Sequence, residues 1–241
     1  VKPPECGDMR ELSSFIFSSM LQSWDVEPKT YPIVPDEFSR MEEMVERALS
    51  ECDIVLLSTG YSAGRKDNST RVIEKLGTVL YHGIAMKPGR PAILGCQREK
   101  PILSVPGYPV SGILILEQLL KPVIDAWYQY TPIPETYQKG VLTRAMESDP
   151  SVREFARVRM GKVGKKMMIF PLSKRSGVVY SFIKADGILE IPRGCSRYEA
   201  GDTVPVRLLR SPRELKHMLG AIGSHDPLLD ELSDLLRLTE P

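Results

Sequence analysis

The chain has 241 residues, 42% of them apolar and 26% charged, and a formal net charge of +1. That length and balance suit one large or two modest globular domains, and they give no support to nonspecific binding of nucleic acid or of anionic membranes. Cys6, Cys52, Cys96 and Cys195 lie far apart, and His82, His217 and His225 form no cluster. No zinc or redox motif is therefore read, and a cytoplasmic protein with free thiols is expected.

Arg10 to Trp24 reads as a helix with Leu12, Phe15, Ile16, Ser19 and Met20 on one side. Thr30 to Val34 reads as a strand. Glu37 to Ser50 is an amphipathic helix, with Phe38, Met41, Met44, Val45, Ala48 and Leu49 along one stripe. Ile54 to Leu57 is a short run apolar at every position, the pattern of a strand buried on both faces. Asn68 to Leu76 is a helix. Ile84 to Met86 and Pro91 to Leu94 are short extended candidates, and Pro101 to Val105 is a further strand. Val110 to Trp127 is a long helix, too polar at Glu117, Gln118 and Lys121 to span a membrane. Helices alternating with buried strands predict an α/β fold, a mostly parallel sheet sandwiched by helices, with ligands beyond the carboxyl ends of its strands.

Thr131-Pro-Ile-Pro-Glu marks a joint between a first domain, 1–131, and a second, 132–210. The second carries alternating runs at Phe155 to Met160, Lys166 to Phe170, Val178 to Ile183, Ile188 to Ile191 and Val204 to Leu209. These predict a small β-barrel or sandwich. Residues 211–241 read as a linker helix opened by a capping serine at Ser211, then a Leu-rich helix from Leu228 to Leu238.

The turn after Leu57 carries the chemistry. Ser58-Thr-Gly-Tyr-Ser-Ala-Gly-Arg-Lys-Asp67 joins a strand to a helix N-terminus through two glycines. Such a turn presents backbone N–H groups to an anion, so a phosphate or an oxyanion of similar shape is the expected guest. Pro106-Gly-Tyr-Pro109 leaves a second strand at the same end of the sheet.

Three segments in this order resemble the MoeA family, the molybdopterin molybdenumtransferases that include the gephyrin E domain. Ser58 to Asp67 is similar to the family's S-G-G-V-S-x-G-x-x-D, Lys87-Pro-Gly-Arg-Pro91 to its K-P-G-K-P, and Val105 to Ser111 to its L-P-G-N-P-V-S. Ile33-Val-Pro-Asp36 matches a segment that carries an aspartate before a helix. The resemblance runs from about Gly7 to Leu209. It implies a MogA-like α/β domain followed by the family's small C-terminal β-domain. The segment from Gly223 resembles the opening of a periplasmic-binding-protein-like domain, which some relatives carry as a fusion.

The resemblance also implies a reaction. Molybdate (or tungstate) enters the dithiolene of adenylylated molybdopterin, AMP is released, and Mg2+ assists. Substrate-binding positions carried over are Ser58, Thr59, Gly60, Ser62, Gly64, Lys87, Gly89, Pro106, Gly107, Pro109 and Ser111. Asp36 and Asp67 are the candidate catalytic and metal-binding carboxylates. A homodimer is implied, with no nucleic acid and no membrane as partner. Departures from the pattern are Thr59 for a glycine, Tyr61 for a valine and Tyr108 for an asparagine. The family's N-terminal domains and the first strand of this domain are not found, so a fragment or a shortened relative is expected.

Each functional reading has a structural rival. Asp67 can cap the helix from Asn68, and Asp36 can cap the helix from Glu37. Lys87 can be a solvated turn residue, Arg90 a surface charge and His225 a surface residue. Tyr61 and Tyr108 can narrow the cleft, and Met160, Met167 and Met168 can fill core. A binding or sensing module for molybdopterin or an oxyanion, without turnover, is the alternative function.

Overall fold

The structure, a computed structural model, describes residues 11–59, 68–174, 179–216 and 231. In chain order the first lobe contains α1 (Ser13–Gln22), α2 (Phe38–Glu51), β1 (Val55–Thr59), α3 (Asn68–Leu76), β2 (Thr78–His82), β3 (Met86–Lys87), β4 (Ile93–Gln97) and β5 (Lys100–Pro106). A long helix follows in three parts: α4 (Pro109–Ile115), a π turn at Leu116–Leu120, and α5 (Lys121–Tyr128). The second lobe holds β6 (Tyr137–Leu142), β7 (Met146–Glu147), β8 (Arg153–Val163), β9 (Lys166–Pro171), α6 (Val179–Ile183), β10 (Gly187–Ile191), β11 (Arg197–Tyr198), β12 (Thr203–Leu208) and α7 (Pro212–Lys216).

The first sheet runs β1-β5-β4-β2. β1 and β5 are parallel, whereas β4 pairs antiparallel with both β5 and β2. The α/β class stands, and its sheet is mixed: β4 and β5 are joined by a tight turn at Arg98 (φ 56°), too short for a parallel crossover. α2 lays Val45, Ala48 and Leu49 on one face of the sheet, with Val72 and Ile73 of α3 beside them. On the other face Val110, Leu114 and Ile115 of α4 meet Leu103 and Val105 of β5.

α1 buries only part of the side its spacing suggested: Ile16 and Met20 pack against the core, and Phe17 joins them in place of Phe15. Phe17 is 5% exposed and Phe15 73%. The reason lies in α4: a Cβ at Gly112 would stand 2.2 Å from Phe17 Cζ, so the glycine makes the hole that the ring fills. Thr30 to Val34 forms no strand. Pro32 and Pro35 remove N–H donors from this segment, and none of its described residues pairs with a sheet. A groove of about 1600 Å³ separates it from β1.

The second lobe closes β10-β12-β6-β9-β8 into a barrel through the β10–β8 pairing. Val158, Ile169, Leu189 and Val206 fill it, with Met160 among them. Val178 to Ile183 was expected to extend, yet 179–183 is one helical turn. The local run is ambiguous in period, and the helical form turns Ser181 inward to accept the Arg157 Nε–H at 3.2 Å. At the start of the linker helix, the Glu214 N–H is capped by Ser211 Oγ at 3.3 Å. The segment from Gly223, including His225, and the Leu-rich helix, apart from Glu231, lie outside the described residues. Among the described residues no helix is long and apolar enough to cross a membrane.

The lobes share a core in which Met86, Leu116, Phe155 and Ile188 belong to one buried cluster. β3 pairs parallel with β8, Lys87 opposite Glu154. Arg207 of β12 reaches Glu117 in the π turn at 3.0 Å. These contacts fix Lys87 at the border of a pocket in the second lobe.

Candidate functional site

The parallel register sets Ser58 opposite Val105 and Thr59 opposite Pro106, so both strands end at one rim of the sheet. The Pro106 turn leads straight into α4. Pro109 occupies the first turn of that helix, where its missing N–H costs nothing, and Ser111 is 3% exposed there. Gly107 and Pro109 are half-buried, and Tyr108 is exposed beside them. Gly60, Tyr61, Ser62, Gly64 and Asp67 lie outside the described residues.

Asp36 reaches the same rim from the far side of the groove. The Asn68 side-chain amide donates to Asp36 Oδ1 at 2.9 Å and to its carbonyl at 3.3 Å. Asp36 therefore does not cap α2, whose N-cap residue is Glu37 and which has no side-chain cap bond. It stands instead at the N-terminus of α3, held by Asn68. Among the described residues no group of three or more His, Cys, Asp or Glu could hold a metal ion. Asp36 supplies a single hard carboxylate oxygen donor set, which suits Mg2+ only when phosphate oxygens and water complete the coordination.

Lys87 lines a pocket of the second lobe, and Gly89 follows it in the same turn. Gly89 has φ 117°, and a Cβ there would lie 2.9 Å from Ile115 Cγ1. Only glycine lets the Lys-Pro-Gly turn rest against the long helix whose first turn carries Ser111. Lys87 Nζ projects toward the second lobe, 3.6 Å from Glu154 Oε2. Glu154 is 2% exposed and also holds Lys174 Nζ at 2.8 Å and the Ser148 hydroxyl at 2.9 Å. One buried carboxylate thus fixes two ammonium groups that are half-open to solvent.

The cleft measures about 710 Å³, and its lining includes Lys87, Arg144, Lys174 and Arg197 against Glu147 and Asp149. With Glu154, which Lys87 and Lys174 share, four cations face three carboxylates and leave one net positive charge, which favours an anion. Arg144 donates to the Pro171 carbonyl at 2.6 Å, and Arg157 donates to the Ser173 carbonyl at 2.6 Å. Arg157 is 2% exposed, and burial lowers its pKa while Glu154 opposes the shift. Arg90 crosses between the lobes to Ser151 Oγ at 3.1 Å and Asp149 Oδ2 at 3.8 Å. Asp149 is held below the usual carboxylate range first by the Ser151 hydroxyl and backbone N–H, then by Arg90 and Lys87.

The sequence-derived candidates thus form two groups. Ser58, Thr59, Pro106, Gly107, Pro109 and Asp36 meet at the rim; Lys87 borders the second-lobe pocket, and Gly89 packs its turn against Ile115. The second lobe's share, Glu154, Arg157 and Lys174, was missed by sequence reasoning. A signal was present: Glu154 and Arg157 flank Phe155 and Ala156 in a strand whose apolar residues predict burial, and charges there need partners.

Comparison with known proteins gives a consistent picture. Residues 6–126 match the family described as probable molybdopterin binding domain, and 139–209 the MoeA C-terminal region, domain IV. The chain is 26% identical to the molybdopterin molybdenumtransferase of Bacillus subtilis, covering 86% of this chain and 49% of that protein. The Haemophilus influenzae enzyme of the same name is 32% identical over 51% of this chain and 30% of its own length. A molybdopterin biosynthesis MoeA protein from Pyrococcus superposes with a TM-score of 0.72 at 27% identity, over 87% of this chain and 51% of that one. The chain spans about half the length of the relatives it matches along most of its own.

Proposed function

The chain belongs to the MoeA family, and from that premise we propose that it serves molybdenum cofactor biosynthesis as a transferase. It binds adenylylated molybdopterin and molybdate (or tungstate), and insertion of the metal releases AMP. The observation that carries this reading is the pocket of the second lobe that Lys87 borders, with its net positive charge and Lys87 set over Glu154. A substrate with a phosphoanhydride and an incoming tetrahedral dianion needs fixed positive charge already in place. Glu154 supplies that preorganisation by holding Lys87 and Lys174, and buried Arg157 stiffens the wall behind them.

Ser58, Thr59, Gly60, Ser62 and Gly64 would offer donors to phosphate. Lys87 and Gly89 shape the entry, and Pro106, Gly107, Pro109 and Ser111 form the stiff turn opposite. Asp36 and Asp67 are the residues that would hold Mg2+, and the ion would supply charge neutralisation for the phosphates. Asn68 orients Asp36 for that task. The active protein works as a homodimer in the cytoplasm.

Isothermal titration with adenylylated molybdopterin, Mg2+ and molybdate, followed by chromatography for AMP, tests the proposal. Saturable binding with molybdate-dependent AMP release is the expected result. Binding without AMP would favour a sensing module, and no binding at millimolar ligand would sink both readings.

A further inference from the structure

The stretch from Phe155 to Ala185 carries eight lysines and arginines and no acid, although the whole chain nets only +1. Several of these cations are already engaged. Arg157 donates to the Ser173 carbonyl, Arg159 pairs with Asp186 at 3.3 Å, Lys174 pairs with Glu154 at 2.8 Å, and Lys184 stands over the Tyr180 ring. Lys162, Lys165 and Lys166 differ. All three are exposed, and among the described residues their side chains have neither an ion pair nor a hydrogen bond.

These lysines crown a ribbon that leaves the barrel. β8 pairs with β10 only as far as Val158, and β9 pairs with β6 only from Met168, whereas β8 and β9 stay paired out to Val163 and Lys166. Gly164 turns the chain at φ 60°, and nothing lies within 4 Å of where its Cβ would stand. Met160 and Ile169 face the barrel core, so the pair Val163–Lys166, three and three residues further along, faces outward. Val163 is 57% exposed, with the lysines around it. The charges do not serve the second-lobe pocket. Pro171 lines that pocket, and five steps of ~3.3 Å along β9 put Lys166 about 17 Å from it, twice the ~8 Å screening length at physiological salt.

We propose that this ribbon tip docks a short acidic segment of a partner protein, with carboxylates on Lys162, Lys165 and Lys166 and one apolar side chain on Val163. Charge complementarity names the sign of the partner, and the number of charges names its class. A duplex-backbone site draws on about 6–10 phosphate contacts, and a polybasic membrane site on about 4–8 cations. Three lysines around a valine fall short of both and match an acidic run of a few residues. Exposed lysine–carboxylate pairs are individually weak, so the contact is transient and sensitive to salt.

A synthetic peptide with four glutamates around one isoleucine, titrated into the whole chain and followed by amide NMR shifts, tests this. The same peptide with glutamines for glutamates is the control. Saturable shifts should centre on Gly161–Met168 and fade with added salt. The triple variant K162Q/K165Q/K166Q should weaken binding about tenfold, the sum of three exposed pairs. Val163→Ser should weaken it about fourfold with the salt dependence kept, and Lys75→Gln, in α3, should change nothing. The triple variant should bind adenylylated molybdopterin like the parent chain, which separates this contact from the cofactor reading. Equal binding of the glutamine peptide, shifts centred on Arg144 and Lys174, or no saturation at millimolar peptide would each overturn the proposal. So would tighter binding at the tip by a DNA duplex or phosphatidylserine vesicles, or weaker adenylylated molybdopterin binding in the triple variant.

Discussion

Replacing Lys87 by methionine separates a binding role from a structural one, because the two predict different magnitudes. Methionine keeps an unbranched stem and removes the charge. The lysine is half-exposed, and its partner Glu154 retains Lys174 at 2.8 Å and Ser148 at 2.9 Å. An ion pair in that setting contributes about 0–1 kcal/mol. For a chain of this size the melting temperature should fall by no more than about 4 °C. The effect on an anion in the cleft is larger. At ~5 Å and an effective dielectric of ~40, each anionic charge loses about 1.7 kcal/mol, roughly fifteenfold in Kd. Isothermal titration with adenylylated molybdopterin reads the second quantity and scanning calorimetry the first. An unchanged Kd with a melting temperature lowered beyond about 4 °C would show that Lys87 holds the lobes together and does not serve a ligand.

Gly112→Ala should cost about 1–3 kcal/mol, since the new Cβ meets Phe17 Cζ at 2.2 Å; in a Phe17→Leu background the penalty should shrink, and an equal penalty there would contradict the packing argument. Arg207→Leu leaves half-buried Glu117 without its cation and should cost about 1–3 kcal/mol at neutral pH. Burial raises the Glu117 pKa, with Arg207 working against the shift. The folded state therefore takes up this proton at higher pH than the unfolded one, and the Arg207→Leu penalty should diminish as pH falls toward the ordinary carboxylate range. Urea melts at neutral and mildly acidic pH check this, and a penalty that grows in acid is the contrary result. Glu51 is lowered to about 2, first by its bond to Lys29, then by Tyr31 and Arg47. Its contribution is present above the unfolded value of about 4.3 and lost as pH falls toward 2. A carboxyl NMR titration of Glu51 centred near 4.3 would refute the assignment.

The elements most readable in the chain were those whose side-chain period matches their burial. α2 and the runs at 54–57, 155–160, 166–170 and 188–191 formed where periodicity put them. β2 was not read, because Thr78–His82 is an exposed edge with no apolar face to betray it. The segment 30–34 looked like a strand because β-branched residues surround its prolines. The three glycine and proline motifs gave the rim and Lys87, since glycine and proline report backbone shape directly. Glu154, Arg157 and Lys174 were opaque for the opposite reason: only tertiary contact brings them to Lys87, and local pattern holds no trace of a partner some seventy residues away.

The π turn at Leu116–Leu120 gives the long helix one wide coil in its middle. It lets Leu116 and Leu120 stay buried while Glu117 reaches Arg207. The same rod begins at the Pro106–Pro109 turn, so its leading end belongs to the rim and its midpoint is latched to the barrel. Any widening of the gap between the lobes must either unlatch that contact or drag the rod along, and with it the floor on which a guest would rest.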